Sequence, residues 1–192
     1  MNTEDYFYNL KTKSVISEQL LDYARSIENW RYKLADWVTF QQVDIPKHLI
    51  AADPVLRKLK ELEWIDFKIF KNYPHSFYAW HIDRPNRPAA INMVIGQAKA
   101  HTFFSGERLW KNQFEVLEAD YQPNTYMLFN TFKQHSVFNL SEERYIVSVS
   151  VPKKYVVDFD WKSGESADKN SAIEQSAKVY HEILKDFKQQ NL

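Results

Sequence analysis

The stretch that decides the fold is YMLFNTFKQHSVFNLSEERYIVSVSV, residues 126–151. It carries most of three runs rich in β-branched and aromatic side chains, at 125–129, 135–138 and 143–151, with short polar segments between them. Runs of this length and composition, bounded by Asn, Ser and Glu, are typical of successive β-strands. The stretch therefore predicts a strand-rich core.

Alternation in the third run assigns its residues to two faces of a sheet. One face carries Tyr145, Val147, Val149 and Val151, and the other carries Arg144, Ile146, Ser148 and Ser150. The apolar face is expected to pack in the core or under helices. On the other face, the guanidinium of Arg144 is permanently charged and needs an anionic partner if it is buried. A ligand carboxylate and a structural acid such as Glu142 or Glu143 are equal alternatives at this point.

Upstream of this stretch the sequence continues as short β-type runs. The predicted strands lie near 65–72, 76–83, 89–96, 100–104 and 113–118. Turn-type clusters such as Tyr73-Pro74 and Ser105-Gly106 separate them. Several short strands at this spacing predict an all-β barrel or sandwich.

Helices are predicted on both sides of the β core. Apolar residues at three-to-four spacing predict helices over 14–38, 53–63 and from about 168 onward. We expect one domain over residues 1–192, with N-terminal helices in 1–63, the β core in 64–152 and a C-terminal helix in 168–190.

The composition limits the possible functions. Aromatic residues make up 16% of the 192 residues, 25 basic residues balance 25 acidic ones, and cysteine is absent. The balanced charge lacks the basic footprint of nucleic-acid binders, and without cysteine a metal must be held by His and carboxylates. Three glycines leave no Gly-rich phosphate loop. No signal-like or membrane-spanning run is visible, so we expect a soluble cytoplasmic protein.

A candidate metal motif lies in FYAWHIDRPN, residues 77–86. Strand alternation places His81 and Asp83 on one face. The same alternation puts Phe77 and Ala79 with them, and Tyr78, Trp80 and Ile82 on the other face. Two His and one carboxylate form the facial triad of non-haem iron oxygenases. Because an HxD pair alone is also common at solvated strand ends, the motif needs support from the downstream region, where His135 starts a run and Arg144 follows nine residues later.

The order of HxD, a distal His and an Arg about ten residues later resembles the 2-oxoglutarate/Fe(II)-dependent oxygenase superfamily. Its fold is a mainly β, cupin-like double-stranded β-helix (jelly-roll) with flanking helices. Residues 76–152 look most similar to the aspartyl/asparaginyl β-hydroxylase-type branch, with similarity also to prolyl-hydroxylase-type members. LFNTFKQHSVFN (128–139) resembles the branch's F-[DN]-x4-H-x-V-x-[ND] stretch. HIDRPNRPAAIN (81–92) resembles the strand-loop-strand that begins with its proximal iron His, and Asn86 matches an Asn of that loop.

The resemblance implies roles for individual residues. His81, Asp83 and His135 would be the iron ligands and the catalytic centre. Arg144 would hold the co-substrate 2-oxoglutarate, with Asn92 as a further contact. It implies a dioxygenase that uses Fe(II), 2-oxoglutarate and O₂, releases succinate and CO₂, and hydroxylates an amino acid, a peptide side chain or a small metabolite. No nucleic-acid or membrane partner is expected.

The sequence departs from the patterns of the branch and of the wider superfamily at several positions, and Asn92 is one of them, since it stands where the branch usually has a His. Asp83 stands where branch members often carry Gly, which restores the full triad. A carboxylate there disfavours a halogenase, which needs that position vacant for chloride. Ala90 stands where the branch has an additional Arg, and Ile146 replaces the Ser of the R-x-S motif seen in other superfamily members. These departures bear on the substrate more than on the metal.

Several residues have two interpretations. Arg84 and Arg87 follow the HxD motif and would either meet an acidic substrate or be ordinary loop charges. Asn130, Thr131 and Asn139 would either orient the imidazoles or cap turns, and His101 is expected on the surface or in the core rather than in the pocket. At the level of function, the alternatives are a cupin-like metalloenzyme that does not use 2-oxoglutarate and a non-catalytic binding module on the same fold.

Overall fold

The computed structural model describes residues 2–35, 38–83, 87–96, 100–111, 113–140, 142–155 and 166–190. The strands are β1 (Phe7–Lys13), β2 (Arg31–Ala35), β3 (Val38–Asp44), β4 (Ile65–Asn72), β5 (Ser76–His81), β6 (Ala90–Ile95), β7 (Ala100–Trp110), β8 (Gln113–Glu118), β9 (Thr125–Phe129), β10 (His135–Asn139) and β11 (Arg144–Ser150). The helices are α1 (Ser17–Ser26), α2 (Lys47–Ala52), α3 (Pro54–Glu61) and α4 (Ser166–Gln190). None of the helices described is long and apolar enough to cross a membrane.

The strands form two antiparallel sheets. The larger has the order β1-β9-β6-β11-β4-β3-β2, and the smaller has the order β5-β10-β7-β8. From β4 to β11 the chain passes back and forth between the sheets, so each sheet receives four of these eight strands. This is a double-stranded β-helix, which confirms the predicted fold class. All eight strands predicted between 65 and 151 are present, although β7 runs longer than expected.

The larger sheet is covered on its outer face by helices. The apolar face of β11 joins a core with buried residues of all four helices, among them Leu20, Leu49, Leu56, Leu59, Tyr180, Ile183, Leu184 and Phe187. Val147 and Val149 in β11 are completely buried there. A second, smaller cluster lies between the sheets and contains Tyr6, Phe104, Ala119, Met127 and Phe129. The inner face of β11, which carries Arg144 and Ser148, is turned toward this space.

The prediction for residues 1–63 is wrong in part. α1 ends at Ser26, and Ile27 already has an extended backbone (φ −79°, ψ 113°). Beyond it, Trp30, Tyr32 and Leu34 recur at a spacing of two, which suits a strand, and β2 and β3 pair with each other. β1 was also missed, although FYNLKTK has a strand-like pattern. The β core therefore extends beyond 64–152, because β1 pairs with β9 and β3 pairs with β4.

The predicted helix at the C-terminus is confirmed as α4. Four residues of its predicted apolar stripe, Tyr180, Ile183, Leu184 and Phe187, are buried. Phe187 packs edge-on against Trp64, with ring centroids 5.8 Å apart. The Tyr180 hydroxyl donates to the carbonyl oxygen of Glu4 at 2.8 Å, which ties the last helix to the first turn of the chain.

The loop between β9 and β10 is fixed by Asn130, which is buried. Its Nδ2 donates to the carbonyl of Asp5 at 2.8 Å, and its Oδ1 accepts from the backbone N–H of Phe132 at 3.1 Å. Its own N–H donates to the carbonyl of Tyr6 at 2.9 Å. One side chain thus joins the N-terminal segment to the loop that leads into His135.

Replacing Asn130 with Ala should destabilise the protein by about 2 to 3 kcal/mol, because two hydrogen bonds are lost and the buried N–H of Phe132 is left without its acceptor. Urea unfolding followed by tryptophan fluorescence measures this. Asn9→Ala is the matched control, since the Asn9 side chain makes a single exposed hydrogen bond to the backbone of Lys11. Equal losses for the two variants would contradict the role assigned to Asn130.

Candidate functional site

Three predicted ligand side chains converge at one end of the smaller sheet. Ligand atoms of His81, Asp83 and His135 all lie within 4.8 Å of one another. Asp83 Oδ1 is 3.7 Å from His81 Nε2 and 3.8 Å from His135 Nε2. Bonds of about 2.1 Å to a divalent ion separate neighbouring ligand atoms by about 3.0 to 3.4 Å. The two distances to Asp83 exceed this range by a few tenths of an ångström, and the 4.8 Å limit on the whole set means that the side chains would move closer together to bind one ion.

Strand pairing brings the two imidazoles together. His135 in β10 lies directly opposite His81 in β5, and the ring centroids are 4.3 Å apart. The register shifts between this pair and the next, in which Val137 lies opposite Tyr78. Because of this irregularity, Tyr78 and His81 both lie on the inner side although they are three residues apart.

The predicted face assignment within β5 is therefore wrong. Phe77 lies opposite Phe138, and 53% of Phe77 is exposed on the outer surface rather than placed beside His81. Strict alternation failed because it assumes an unbroken ladder, and a bulge shifts the phase of every residue on one side of it.

Both imidazoles are oriented by the backbone. His81 Nδ1 lies 2.7 Å from the carbonyl oxygen of Ala79, and His135 Nδ1 lies 2.9 Å from that of Lys133. A carbonyl oxygen only accepts, so each Nδ1 carries the proton. Each Nε2 is then a lone-pair donor directed at Asp83, the tautomer that metal ligation needs.

Burial keeps His135 neutral. Desolvation lowers the pKa of His135 to about 4, the nearby carboxylate of Asp83 opposes this shift, and His81 reinforces it. The Phe104 and Phe129 rings pack against the imidazole, with centroids 5.9 and 5.1 Å away. The second ligand is therefore available without losing a proton at neutral pH.

Asp83 is held from two directions. Arg87 Nη1 donates to Asp83 Oδ2 at 2.9 Å, which leaves Oδ1 directed at the imidazoles. The Asp83 N–H donates to the carbonyl of Thr131 at 2.9 Å, and the Thr131 hydroxyl donates to the carbonyl of Arg87. Thr131 thus binds the backbone of both Asp83 and Arg87.

Arg144 is completely buried at the beginning of β11. Its Nη2 lies 3.4 Å from the hydroxyl of Thr102, while its Nε and Nη1 have no hydrogen-bond partner among the described residues. Within the same part of the chain no carboxylate pairs with it, and Glu143 binds Lys71 instead at 2.6 Å. Burial lowers the pKa of the Arg144 guanidinium, and Tyr121 opposes that shift. A buried cation with two unsatisfied N–H groups is the kind of site that an anionic ligand completes.

Polar and aromatic side chains line the space around Arg144. The Tyr121 ring centroid is 5.2 Å from the Arg144 guanidinium carbon. The Tyr121 hydroxyl interacts with the side chains of Thr102, Asn92 and Arg144, and burial raises its pKa. Asn92 Oδ1 also accepts a hydrogen bond from the Ser148 hydroxyl, so Asn92 lies between the metal ligands and Arg144. The structure thus brings both predicted co-substrate residues to one interior surface.

The remaining predicted candidates lie elsewhere. His101 faces outward, pairs with Glu118 and stacks on Phe103 with ring centroids 5.9 Å apart, as expected for a surface His. Asn139 donates to the carbonyls of Tyr73 and Glu142 at 2.7 Å and so stabilises a turn. Arg84 and Asn86 lie outside the described residues.

Sequence reasoning missed Thr102 and Tyr121 and left Arg87 undecided. Strand alternation could have pointed to Thr102, because it lies two residues before Phe104 in β7 and so shares its face. Both residues are buried. Tyr121 follows β8 in an irregular segment, where no periodicity marks the direction of a side chain. Arg87 and Asp83 both lie outside the strands, where no periodicity predicts their contact.

Comparison with known proteins shows the fold. No family model matches the sequence, and no curated protein matches it. A prolyl hydroxylase from Trichoplax adhaerens, solved with a hypoxia inducible factor peptide fragment, has a TM-score of 0.55 at 15% identity and covers 77% of this chain and 83% of its own. An oxidoreductase of the 2OG-Fe(II) oxygenase family from Burkholderia pseudomallei has a TM-score of 0.50 at 13% identity, and the match covers 71% of this chain and 78% of the oxidoreductase.

A non-heme α-ketoglutarate-dependent epimerase from nogalamycin biosynthesis has a TM-score of 0.52 at 10% identity, covering 85% of this chain and 88% of its own. The chain therefore has the double-stranded β-helix fold found in solved 2-oxoglutarate/Fe(II) oxygenases. Because those proteins include both hydroxylases and an epimerase, the fold leaves the reaction open. The narrower resemblance to the aspartyl/asparaginyl β-hydroxylase-type branch stays a prediction.

The low pKa of His135 predicts a pH effect on the metal-free protein. Between its ordinary value of 6.5 and about 4, the unfolded chain binds a proton at His135 and the folded chain does not. The free energy of unfolding should therefore fall as the pH drops through this window, by up to about 1.4 kcal/mol per pH unit from this group.

Denaturant unfolding of wild type and His135→Gln at several pH values measures the contribution of His135. The variant should lose less stability than wild type between pH 6.5 and 4. His48→Gln is the control, because His48 is exposed on α2 and should leave the wild-type slope unchanged. Parallel slopes for wild type and His135→Gln would contradict a buried neutral His135.

Proposed function

We propose that this chain is an Fe(II)- and 2-oxoglutarate-dependent dioxygenase that hydroxylates an amino acid, a peptide side chain or a small metabolite. The observation that carries the proposal is the convergence of His81, Asp83 and His135 with three ligand atoms free to meet one ion. The buried guanidinium of Arg144 favours a reaction with a dicarboxylate co-substrate over a cupin-like reaction without one. A reaction without such a co-substrate does not require a buried cation at this position.

The three side chains would hold iron on one triangular face. His81 and His135 would bind through Nε2, and Asp83 would bind through Oδ1 while Oδ2 stays with Arg87. This donor set suits non-haem Fe(II) and leaves positions for a co-substrate and O₂. When bound, the iron would supply oxidation of the substrate by O₂, with 2-oxoglutarate converted to succinate and CO₂.

Arg144 would bind the far carboxylate of 2-oxoglutarate. Its Nε and Nη1 have no partner among the described residues, and its Nη2 has only the 3.4 Å contact with Thr102, so a carboxylate would pair with Nη2 and one of the other two nitrogens. Tyr121 and Thr102 flank the guanidinium and offer hydroxyl groups to the same carboxylate. Asn92, one strand away, lies where it would contact the middle of the co-substrate.

Exposure sets the direction from which a substrate would approach. The side chain of His135 is 7% exposed, that of Asp83 is 19% exposed, and that of His81 is 30% exposed. Solvent therefore reaches the site from the His81 side, where Trp80 and Ile82 are also exposed. Trp80 and Ile82, the sequence neighbours of His81, would offer apolar surface to a peptide or metabolite, and the aromatic rings that pack on His135 would exclude water from the opposite side.

Anaerobic titration with Fe(II), with and without 2-oxoglutarate, tests the proposal. We expect one iron per chain, a visible charge-transfer band when 2-oxoglutarate is added, and slow succinate release on exposure to air. Binding of iron without any effect of 2-oxoglutarate would favour a cupin-like enzyme. Absence of iron binding would favour a non-catalytic binding module.

Replacing Arg144 with Met should separate ligand binding from stability. The affinity for 2-oxoglutarate should fall more than tenfold, which corresponds to more than about 1.4 kcal/mol. The free energy of unfolding should stay the same or rise, because a buried cation without a carboxylate partner is replaced by an apolar side chain of similar length.

Isothermal titration and urea unfolding measure the two effects of Arg144→Met. Arg57→Met on α3 is the matched control, since Arg57 is exposed and outside the site. Unchanged 2-oxoglutarate affinity in Arg144→Met would remove Arg144 from the proposed co-substrate site, whereas Fe(II) binding would still test the metal centre independently.

A further inference from the structure

Arg87 bonds to two parts of the interior at once. Its Nη1 donates to Asp83 Oδ2 at 2.9 Å, and its Nη2 donates to the hydroxyl of Ser148 in β11 at 2.5 Å. Its backbone carbonyl accepts from the hydroxyl of Thr131. Both ends of the residue are therefore fixed, and the planar guanidinium has little freedom to turn. A fork held in this way sets the orientation of the carboxylate.

The two carboxylate oxygens of Asp83 have different environments as a result. Oδ2 is occupied by Arg87, while Oδ1 lies 3.7 and 3.8 Å from the Nε2 atoms of His81 and His135. A free Asp side chain rotates about its last bond and presents either oxygen or both. Arg87 therefore selects a single oxygen for the ion.

The hydrogen bonds continue from Arg87 toward the buried Arg144. The Ser148 hydroxyl, which accepts from Arg87, donates to Asn92 Oδ1, and Ser148 pairs directly with Asn92 across β11 and β6. Asn92 and Arg144 both interact with the hydroxyl of Tyr121. A continuous series of side chains thus joins the carboxylate of the metal triad to the guanidinium at the other end of the pocket.

Building on the proposed function, we propose that Arg87 is a positioning residue that orients Asp83 for the metal and couples metal binding to 2-oxoglutarate binding through Ser148 and Asn92. Arg87 does not itself contact the metal. Its substitution should still weaken metal binding, and it should reduce the change in metal affinity that 2-oxoglutarate produces. Coupling between two ligands is reciprocal, so either ligand can be titrated against the other.

The positive charge of Arg87 and its positioning role should have opposite effects on metal affinity, and this difference provides a sharp test. A guanidinium near the site repels a cation and withdraws negative charge from Asp83, so its loss through charge alone would tighten metal binding. Loss of a side chain that orients a metal ligand typically weakens metal affinity 10- to 100-fold. The sign of the change therefore distinguishes positioning from simple electrostatics.

Titration of the full chain with Co(II), followed by its visible absorption spectrum, measures this sign without requiring turnover. For Arg87→Met we expect at least about tenfold weaker Co(II) binding and an altered spectrum. Arg87→Lys should fall between Met and wild type, because one ammonium keeps the charge but cannot donate to Asp83 and Ser148 as a fork does. Arg57→Met is the matched control and should bind Co(II) as wild type does.

Ser148→Ala tests the coupling separately. It leaves the bond between Arg87 and Asp83 in place but breaks the connection to Asn92. Co(II) affinity alone should stay within about threefold of wild type, while the tightening produced by 2-oxoglutarate should shrink by more than that factor. Full retention of the 2-oxoglutarate effect in Ser148→Ala would overturn the coupling.

The outcomes separate this inference from the proposed function. If wild type binds Co(II) and Arg87→Met binds it equally or more tightly with an unchanged spectrum, the positioning role of Arg87 is overturned and the metal site stands. If wild type binds no metal, the proposed function fails and the role of Arg87 fails with it. Thermal unfolding of the metal-free variants checks that they fold, and Arg87→Lys carries the test if Arg87→Met does not.

Discussion

A guanidinium enclosed between two sheets, with no carboxylate beside it in the described part of the chain, is the constraint on which the interior of this protein depends. Removing a charged group from water is expensive unless hydrogen bonds or counter-charges replace the lost hydration. Around Arg144 the replacement is incomplete, because the ring and hydroxyl of Tyr121 and the hydroxyl of Thr102 leave Nε and Nη1 without partners among the described residues. A folded state that tolerates such a group must obtain its stability elsewhere.

That stability comes from the opposite face of the same sheet. Residues of β11 alternate between an outer face of completely buried valines, packed under the helices, and an inner face with Arg144 and Ser148. The outer face is uniformly apolar and contributes the burial that folding needs. β11, at the centre of the larger sheet, thus contributes apolar burial with its outer face and carries polar side chains on its inner face. The stability from the outer face offsets the free-energy cost of burying those polar groups.

The β-helix core was predictable because its strands have strong local signals. Eight runs between 65 and 151 have the alternation and the flanking turn residues that are typical of β-strands. The elements before residue 64 were less clear. The apolar spacing of α1 continues without a breaker into β2, and the strand-like pattern of β1 does not indicate that its partner is the distant β9.

The site could be predicted as a set of residue types but not as a network. Strand alternation predicted that His81 and Asp83 share a face and marked Arg144 as a charge that needs a partner, and the resemblance to the oxygenase superfamily implied His135 as the further ligand. It did not reveal that a bulge in β5 turns Tyr78 and His81 to the same side, because a bulge depends on the partner strand. It also could not join Arg87 to Ser148, which are far apart in the sequence and meet only through the crossing of the chain between sheets.

The pairing of β1 with β9 has a consequence for how the chain acquires its structure during synthesis. Phe7 lies opposite Phe129, and the carbonyl oxygens of Asp5 and Tyr6 accept from Asn130, so the first strand has no partner until the ninth has been made. Contacts this distant in sequence slow folding and leave a strand edge open in the meantime. The loop that leads into His135 rests on that pairing. The candidate metal site is therefore completed late, after most of the chain has left the ribosome, and it cannot act as an early nucleus for the fold.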